Sequence, residues 1–151
     1  CINSEAYNNL NLIREGAKLF GSQCIVISVD FKCIDEKYYC FSQSGNFNTG
    51  ILVEEWVKIV EEAGAGEIIL TSIDKDGTMS GYDLEIIKKV VDIVSIPVIA
   101  SGGAGKYEDM FKAINYSKAS AVAAASIFHF TEMTPKEAKM YLSNKGIATR
   151  S

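Results

Sequence analysis

The stretch that decides the fold is IPVIASGGAGKYEDM, residues 96–110, in which an apolar run ends in Ser-Gly-Gly and a helical pattern follows at once. Adjacent glycines cost backbone entropy on folding, so the pair Gly102-Gly103 indicates that something approaches the backbone closely. One interpretation is a tight turn with positive φ. The other is a phosphate held by bare amide N–H groups and by the positive end of the helix that starts near Lys106.

The same succession of apolar run, loop and amphipathic segment continues through the chain. The runs are continuous, as in parallel strands buried on both faces: CIVISVD (24–30), EIILTSID (67–74), IPVIASGG (96–103) and ASAVAAASIF (119–128). The segments between them carry apolar residues at helical spacing, for example Val53, Trp56, Val57 and Val60. We therefore predict a single α/β domain over residues 1–151, with four parallel strands joined by right-handed helical crossovers.

An open doubly wound sheet and part of a (β/α)8 barrel both fit this order of elements. Polar side chains follow the ends of all four runs, namely Ser28, Asp30, Thr71, Ser72, Asp74, Asp76, Ser101 and Ser126. An open sheet gathers its ligand groups at one switch point, whereas a barrel uses many strand ends on one rim. The pattern favours the barrel, which usually needs about 250 residues.

Composition and cysteine spacing limit the possible partners. The net charge of -4 gives no indication of a basic surface that would bind nucleic acid or an anionic membrane. No apolar stretch approaches the roughly 18 residues of a membrane span. The four cysteines form no CxxC pair, so we expect reduced thiols, no zinc and a cytoplasmic location. Cys24 is predicted to be a small core residue, and a turn at Asp35-Glu36 would pair Cys33 with Tyr38 rather than Cys40.

Two groups of residues are candidates for chemistry. Asp30 ends a very apolar strand, where a carboxyl tends to have a raised pKa and can act as a general acid or base; the alternative is an Asp that pairs with a lysine or caps a turn. In SIDKDGTMSGYD (72–83), Asp76-Gly77 could contact a phosphate or hydroxyl. Asp74 and Asp76 lack a third ligand, so we predict no metal site, and His129 is predicted to be structural.

Three motifs together resemble one family. GAGEIILTSIDKDGTMSGYD (64–83), IPVIASGGAGKYEDM (96–110) and AASIFHF (124–130), with CINSEA (1–6) before them, are similar to the cyclase subunits of imidazole glycerol phosphate synthase in histidine biosynthesis. The resemblance covers nearly the whole chain. It corresponds to the end of strand four and to strands five to eight, so it implies the C-terminal half of a (β/α)8 barrel without the N-terminal half.

The resemblance implies a lyase-type cyclase. Ammonia from a glutaminase partner is added to a bisphosphorylated aminoimidazole carboxamide ribonucleotide, which yields imidazole glycerol phosphate and an aminoimidazole carboxamide ribotide without a cofactor. Asp30 matches one of two catalytic aspartates, the other belonging to the first strand. The remaining matches are Thr71 and Ser44 lining the site, Asn3 and Ser4 at the edge of one phosphate site, Asp76, Gly77, Gly102, Gly103, Ala125 and Ser126 in the second phosphate site, and Glu67 in the ammonia gate.

Two alternatives remain. In SGNFNTG (44–50) the family often has a basic residue where Asn46 or Phe47 stands, and related subunits serve bacterial surface-sugar amidation. A half-barrel also leaves two unpaired edges and an exposed inner face. The chain is therefore expected to need the other half of the barrel for activity, or to associate with a second copy of itself as a non-catalytic, phosphate-binding homodimer.

Overall fold

The computed structural model describes residues 1–149, which form one mixed sheet with helices packed against it. The strands are β1 (Val26–Ile34), β2 (Lys37–Ser42), β3 (Phe47–Leu52), β4 (Glu67–Ser72), β5 (Val98–Ser101) and β6 (Ala121–Val122). The helices are α1 (Ser4–Asn8), α2 (Asn11–Phe20), α3 (Val53–Ala63), α4 (Leu84–Ile93), α5 (Tyr107–Asn115), α6 (Ser126–Phe130) and α7 (Pro135–Asn144). None of these helices is both long and apolar enough to cross a bilayer.

The predicted parallel core is confirmed. The strand order is β3-β2-β1-β4-β5-β6, and β1, β4, β5 and β6 run parallel with helices between β4, β5 and β6. An antiparallel excursion, β2 and β3, extends the sheet beyond β1. Its first turn has positive φ at Asp35 and Glu36, the type I′ pattern that matches strand twist. This turn sets Cys33 opposite Tyr38, as predicted.

Two parts of the strand prediction are wrong. Strand β3 was not predicted, because its sequence FNTGIL carries turn-forming residues. The run 119–128 was predicted as one strand, but only Ala121–Val122 pairs with β5, and α6 begins at Ser126. Short alanine-rich runs have no strong strand preference and fit a helix equally well.

Only one face of the parallel sheet is covered by the described helices. The buried face carries Ile27, Val29, Ile68, Leu70, Val98 and Ala100. On the opposite face the side chains are half-buried, and they include Ser28, Asp30, Ile69, Thr71, Ile99 and Ser101. The continuous apolar runs predicted that both faces of the sheet would be buried. Within residues 1–149, helices cover one of these two faces.

The helix predictions hold best where an apolar stripe faces this core. In α3, Val53, Trp56, Val57 and Val60 are all buried, and a capping box of Thr134 and Glu137 starts α7. In α2 only Ile13 is buried, whereas Leu12 and Phe20 are exposed.

One further local prediction needs correction. Cys24 is exposed in a short 3₁₀ turn, Ser22–Cys24, and is not a core residue. Asp83 stands at the N-cap position of α4, but its side chain makes no capping bond and instead accepts a hydrogen bond from Tyr38 Oη at 3.4 Å.

Candidate active site

Three polar side chains form one row across the half-buried face of the sheet. Asp30 on β1 lies opposite Thr71 on β4, and Thr71 lies opposite Ser101 on β5. Neighbouring strands are about 5 Å apart, so the row spans about 10 Å at the carboxyl ends of the strands. The parallel register therefore brings together the polar strand ends that the sequence places far apart.

The Asp30 carboxylate at one end of this row is held by two hydrogen bonds. Asn3 Nδ2 donates to Oδ2 at 2.8 Å, and Ser28 Oγ donates to Oδ1 at 3.1 Å. Burial raises the pKa of Asp30, these two hydrogen bonds oppose the rise, and the charge of Asp76 adds to it. No lysine or arginine nitrogen in the described chain lies within 4.0 Å of the carboxylate, so the alternative of an Asp–Lys pair is wrong.

A pocket of about 160 Å³ opens at the other end of the row. Ser101 belongs both to the row and to the wall of the pocket. The other lining residues are Asp76, Gly77, Gly102, Gly103, Ala104, Ala123, Ala124, Ala125 and Ser126. All six residues predicted to form the second phosphate site thus line one cavity.

The glycine pair Gly102-Gly103 is required by the packing of a neighbouring loop. Gly102 and Gly103 have φ of +86° and +104°. A Cβ on Gly102 would lie 2.7 Å from the Ser72 carbonyl oxygen, and one on Gly103 would lie 2.3 Å from that of Gly81. Gly81 also donates its N–H to the Gly103 carbonyl at 2.7 Å. The loop after β4 therefore lies directly on the loop after β5, which brings Asp76 to the pocket.

The N-terminus of α5 does not face the pocket as a free anion site. The Asp109 carboxylate, itself buried, accepts hydrogen bonds from the N–H groups of Gly105 and Lys106, each at 3.1 Å. These two N–H groups are therefore not free for the phosphate that one interpretation of the sequence places at this helix end. By contrast, no hydrogen bond within the described chain uses the N–H of Gly103 or Ser126.

The other predicted site residues lie away from this pocket. Asn3 contacts Asp30, while Ser4 accepts a hydrogen bond from Gln43 N–H at 2.9 Å and lines a second pocket of about 330 Å³. Ser44 is exposed in a turn with φ of +57° and lines neither cavity. Glu67 starts β4 on the same face as Thr71, about 13 Å away along the strand.

Asp74 and His129 have no place in the candidate site. Asp74 accepts a hydrogen bond from the Cys33 N–H at 3.1 Å, which ties the loop after β4 to the β1–β2 hairpin. His129 is exposed on α6. Within residues 1–149, no three His, Cys, Asp or Glu side chains are arranged to hold a metal ion.

Two residues that contribute to this site were not predicted. Ser28 bonds Asp30 directly, and the signal for it was present, because residues two apart on a strand share a face. Tyr82 is buried, and its hydroxyl donates to the Ala123 carbonyl at 2.9 Å, joining two walls of the pocket. The role of Tyr82 could not be predicted from a local sequence pattern, because its hydrogen-bond partner lies 41 residues away.

We expect Tyr82→Phe to lower the free energy of unfolding by about 1 kcal/mol, because it leaves the half-buried Ala123 carbonyl without its donor. Phosphate binding should weaken with it, since the Ala123 wall loses its anchor. Urea unfolding and isothermal titration with inorganic phosphate measure the two effects. Tyr116→Phe is the control, because the Tyr116 hydroxyl bonds Glu85 at an exposed position. Equal effects of the two variants would contradict the role given to Tyr82.

The chain is similar to known proteins of one family. The family described as histidine biosynthesis protein matches residues 1–134. The imidazole glycerol phosphate synthase subunit HisF of Natranaerobius thermophilus is 52% identical over 149 residues, and those of Saccharolobus solfataricus and a Thermotoga species are 48% and 49% identical. Each alignment covers 99% of this chain but only 58–59% of the relative. The chain therefore belongs to the histidine biosynthesis protein family and spans about three fifths of the length of these curated relatives.

Proposed function

We propose that residues 1–151 form the C-terminal half of a (β/α)8 barrel, with β1, β4, β5 and β6 as its strands five to eight. The half-buried face that carries Asp30 and Thr71 is then the barrel interior. The isolated bridge between Ile2 and Ile27 supports this assignment, because it runs parallel to β1 on the side away from β4, where strand four would lie. The remaining strands would cover the interior face.

We propose that this half serves an ammonia-dependent cyclase or lyase that makes imidazole glycerol phosphate and an aminoimidazole carboxamide ribotide. The single observation that carries the proposal is the row from Asp30 through Thr71 to Ser101, which joins an acid–base candidate to the phosphate pocket. A substrate anchored by one phosphate at Gly103 and Ser126 would extend along this row toward the carboxyl group.

The chemistry gives each of these residues a task. Ammonia addition, ring closure and cleavage all move protons, which suits a carboxyl whose pKa is raised by burial. In this proposal Asp30 is one of two acid–base groups, the other standing on the first strand of the barrel. Thr71 contacts the substrate between them, while Asn3, Ser4 and Ser44 border the site of the other phosphate.

The proposed partners follow from the same arrangement. Glu67 stands at the opposite end of β4 from Thr71, where it would border the entry of ammonia supplied by a glutaminase subunit. The substrate is a bisphosphorylated small molecule, and we propose no cofactor, nucleic acid or membrane and a cytoplasmic location. The open sheet face would be covered by the other half of the barrel or by a second copy of this chain.

Activity after complementation tests the proposal. The purified chain is mixed with the N-terminal half of a HisF relative, and turnover of the aminoimidazole substrate is measured with an ammonium salt. We expect turnover from the mixture and none from either part alone, because one catalytic aspartate cannot supply both acid and base. Turnover by this chain alone, or no turnover from two parts that fold and associate, would overturn the assignment.

A second candidate function is amidation of a bacterial surface sugar. It is favoured by the loop at Asn46 and Phe47, where the family often has a basic residue at one of the two positions and where Phe47 is 54% exposed beside the second pocket. Loss of that charge would suit a substrate with a different polar end. Running the same complementation assay with a sugar substrate in place of the aminoimidazole separates the two functions.

A further inference from the structure

Ser28 is fixed to the sheet so that its side chain meets Asp30. Its backbone N–H donates to the Ile2 carbonyl at 2.8 Å on one side, and it lies opposite Ile69 on β4 on the other. Because residues two apart on a strand share a face, the Ser28 hydroxyl points to the same side as the Asp30 carboxylate. The Ser28 hydroxyl donates a hydrogen bond to Asp30 Oδ1 at 3.1 Å.

The second donor to Asp30 differs in its chemistry. Asn3 donates to Oδ2 through its amide nitrogen, which cannot accept a hydrogen bond. The Asn3 Oδ1 atom is buried and has no partner among residues 1–149. A hydroxyl, by contrast, can donate to a carboxylate and can accept from a protonated carboxyl after rotating its hydrogen. When Asp30 takes up a proton on Oδ1, its Oδ2 still accepts from Asn3, and the Ser28 hydroxyl accepts from the new O–H after rotating its own hydrogen.

The charges around Asp30 make such contacts necessary. The titratable groups whose charge acts on Asp30 are Asp76 from the loop after β4, Tyr7 from α1 and Cys40 from β2. Lys32 lies two residues further along β1 on the same face, but its Nζ is 5.0 Å from the centre of the Phe41 ring and makes no ion pair with the carboxylate. The ionised carboxylate is therefore stabilised by the two polar donors, Ser28 and Asn3, and its orientation depends on them.

We propose that Ser28 is a positioning residue that holds the Asp30 carboxyl in one orientation in both its ionised and its protonated form. The catalytic role of this positioning rests on the proposed function, since an acid–base residue must keep the same orientation before and after each proton transfer. The contact itself does not depend on which substrate is used.

The orientation is measured directly by nuclear magnetic resonance on the 151-residue chain. The couplings between Hα and Hβ of Asp30 report its rotamer, and its carboxyl carbon reports the pKa, across a pH titration. We expect one rotamer at both ends of the titration in the unchanged chain. In Ser28→Ala we expect rotamer averaging in the protonated form and a pKa higher by about half a unit, because a charge-assisted donor is lost.

Two variants complete the design. Ser28→Thr keeps the hydroxyl and should restore the single rotamer, whereas Ser101→Ala removes a hydroxyl from the same face two strands away and should leave Asp30 unchanged. Couplings and pKa in Ser28→Ala that equal those of the unchanged chain would overturn the proposal.

The complementation assay adds the catalytic readout. In an active mixture, Ser28→Ala should lower kcat about tenfold with KM unchanged, because a misaimed group slows proton transfer without weakening substrate binding. An unchanged kcat in an active mixture would overturn the positioning role. If the unchanged chain gives no turnover while the couplings behave as expected, the proposed function fails and the positioning of Asp30 stands.

Discussion

Replacing Gly103 by alanine is expected to lower the free energy of unfolding by about 2–6 kcal/mol and to abolish phosphate binding. The φ of +104° alone costs a residue with a side chain about 1–3 kcal/mol. The new Cβ would also lie 2.3 Å from the Gly81 carbonyl oxygen, and relieving such overpacking typically costs about 1–3 kcal/mol. The loop after β4 must then shift, which moves Asp76 and Gly77 out of the pocket wall.

Urea unfolding and titration with inorganic phosphate test this prediction. Gly50→Ala is the matched control, because Gly50 also has a positive φ, of +74°, but nothing lies within 4 Å of its added Cβ, and it is outside the pocket. The control should lose about 1–2 kcal/mol and keep its phosphate affinity. A Gly103→Ala chain that is as stable as the control and still binds phosphate would show that the two loops do not depend on this contact.

Asp30→Asn is expected to reduce ammonia-dependent turnover by about 10²–10⁴-fold, the contribution usual for a general acid or base. Phosphate binding should be unchanged, because Asp30 does not line the pocket. The measurement is kcat in the complementation assay, beside phosphate titration of the same variant. Asp92→Asn, on the exposed surface of α4 in an ion pair with Lys88, is the control and should keep full turnover. Turnover retained in Asp30→Asn would remove Asp30 from the mechanism.

The effect of Asp30→Asn on the free energy of unfolding depends on pH, and its direction follows from the pKa of Asp30. Burial raises the pKa of Asp30 above its ordinary value of 3.8, so the folded chain holds this proton more tightly than the unfolded chain. The contribution of Asp30 to stability is therefore fully present below pH 3.8 and is lost as the pH rises through the folded-state pKa. Asp30→Asn should be at least as stable as the unchanged chain at pH 7, and this advantage should shrink in acid. Loss of turnover with retained stability separates a chemical role from a structural one.

The sequence predicts those parts of the fold that are determined by the residues of one continuous segment. Helix α3 is an example, since Val53, Trp56, Val57 and Val60 repeat at the helical period and all are buried. The hairpin turn at Asp35-Glu36 is another. The length of strand β6 was overestimated. Residues 123–126 continue the apolar run, but contacts with other segments, such as the Tyr82 hydroxyl, determine their conformation.

The candidate site divides in the same way. Asp30 and the glycine pair stand out locally, since each interrupts an apolar pattern. The sequence does not show why the glycines are needed, because the Ser72 and Gly81 carbonyls that exclude a side chain belong to the end of β4 and to the loop after it. The capping of α5 by Asp109 is likewise a local bond, but only its geometry reveals that it removes this helix end from the pocket.

The shortness of β6 has a consequence for how the chain would respond to the proposed phosphate ligand. Only Ala121 and Val122 are in register with β5, flanked by the bonds from Ser120 N–H and Ala123 N–H, yet the segment that follows is one wall of the pocket. An edge secured at so few positions opens at a lower free energy than the centre of a sheet. An anion that bridges Gly103 and Ser126 binds only the closed edge and so shifts this opening equilibrium toward closure. The concentration of the ligand would then set the local stability of the segment that recognises it.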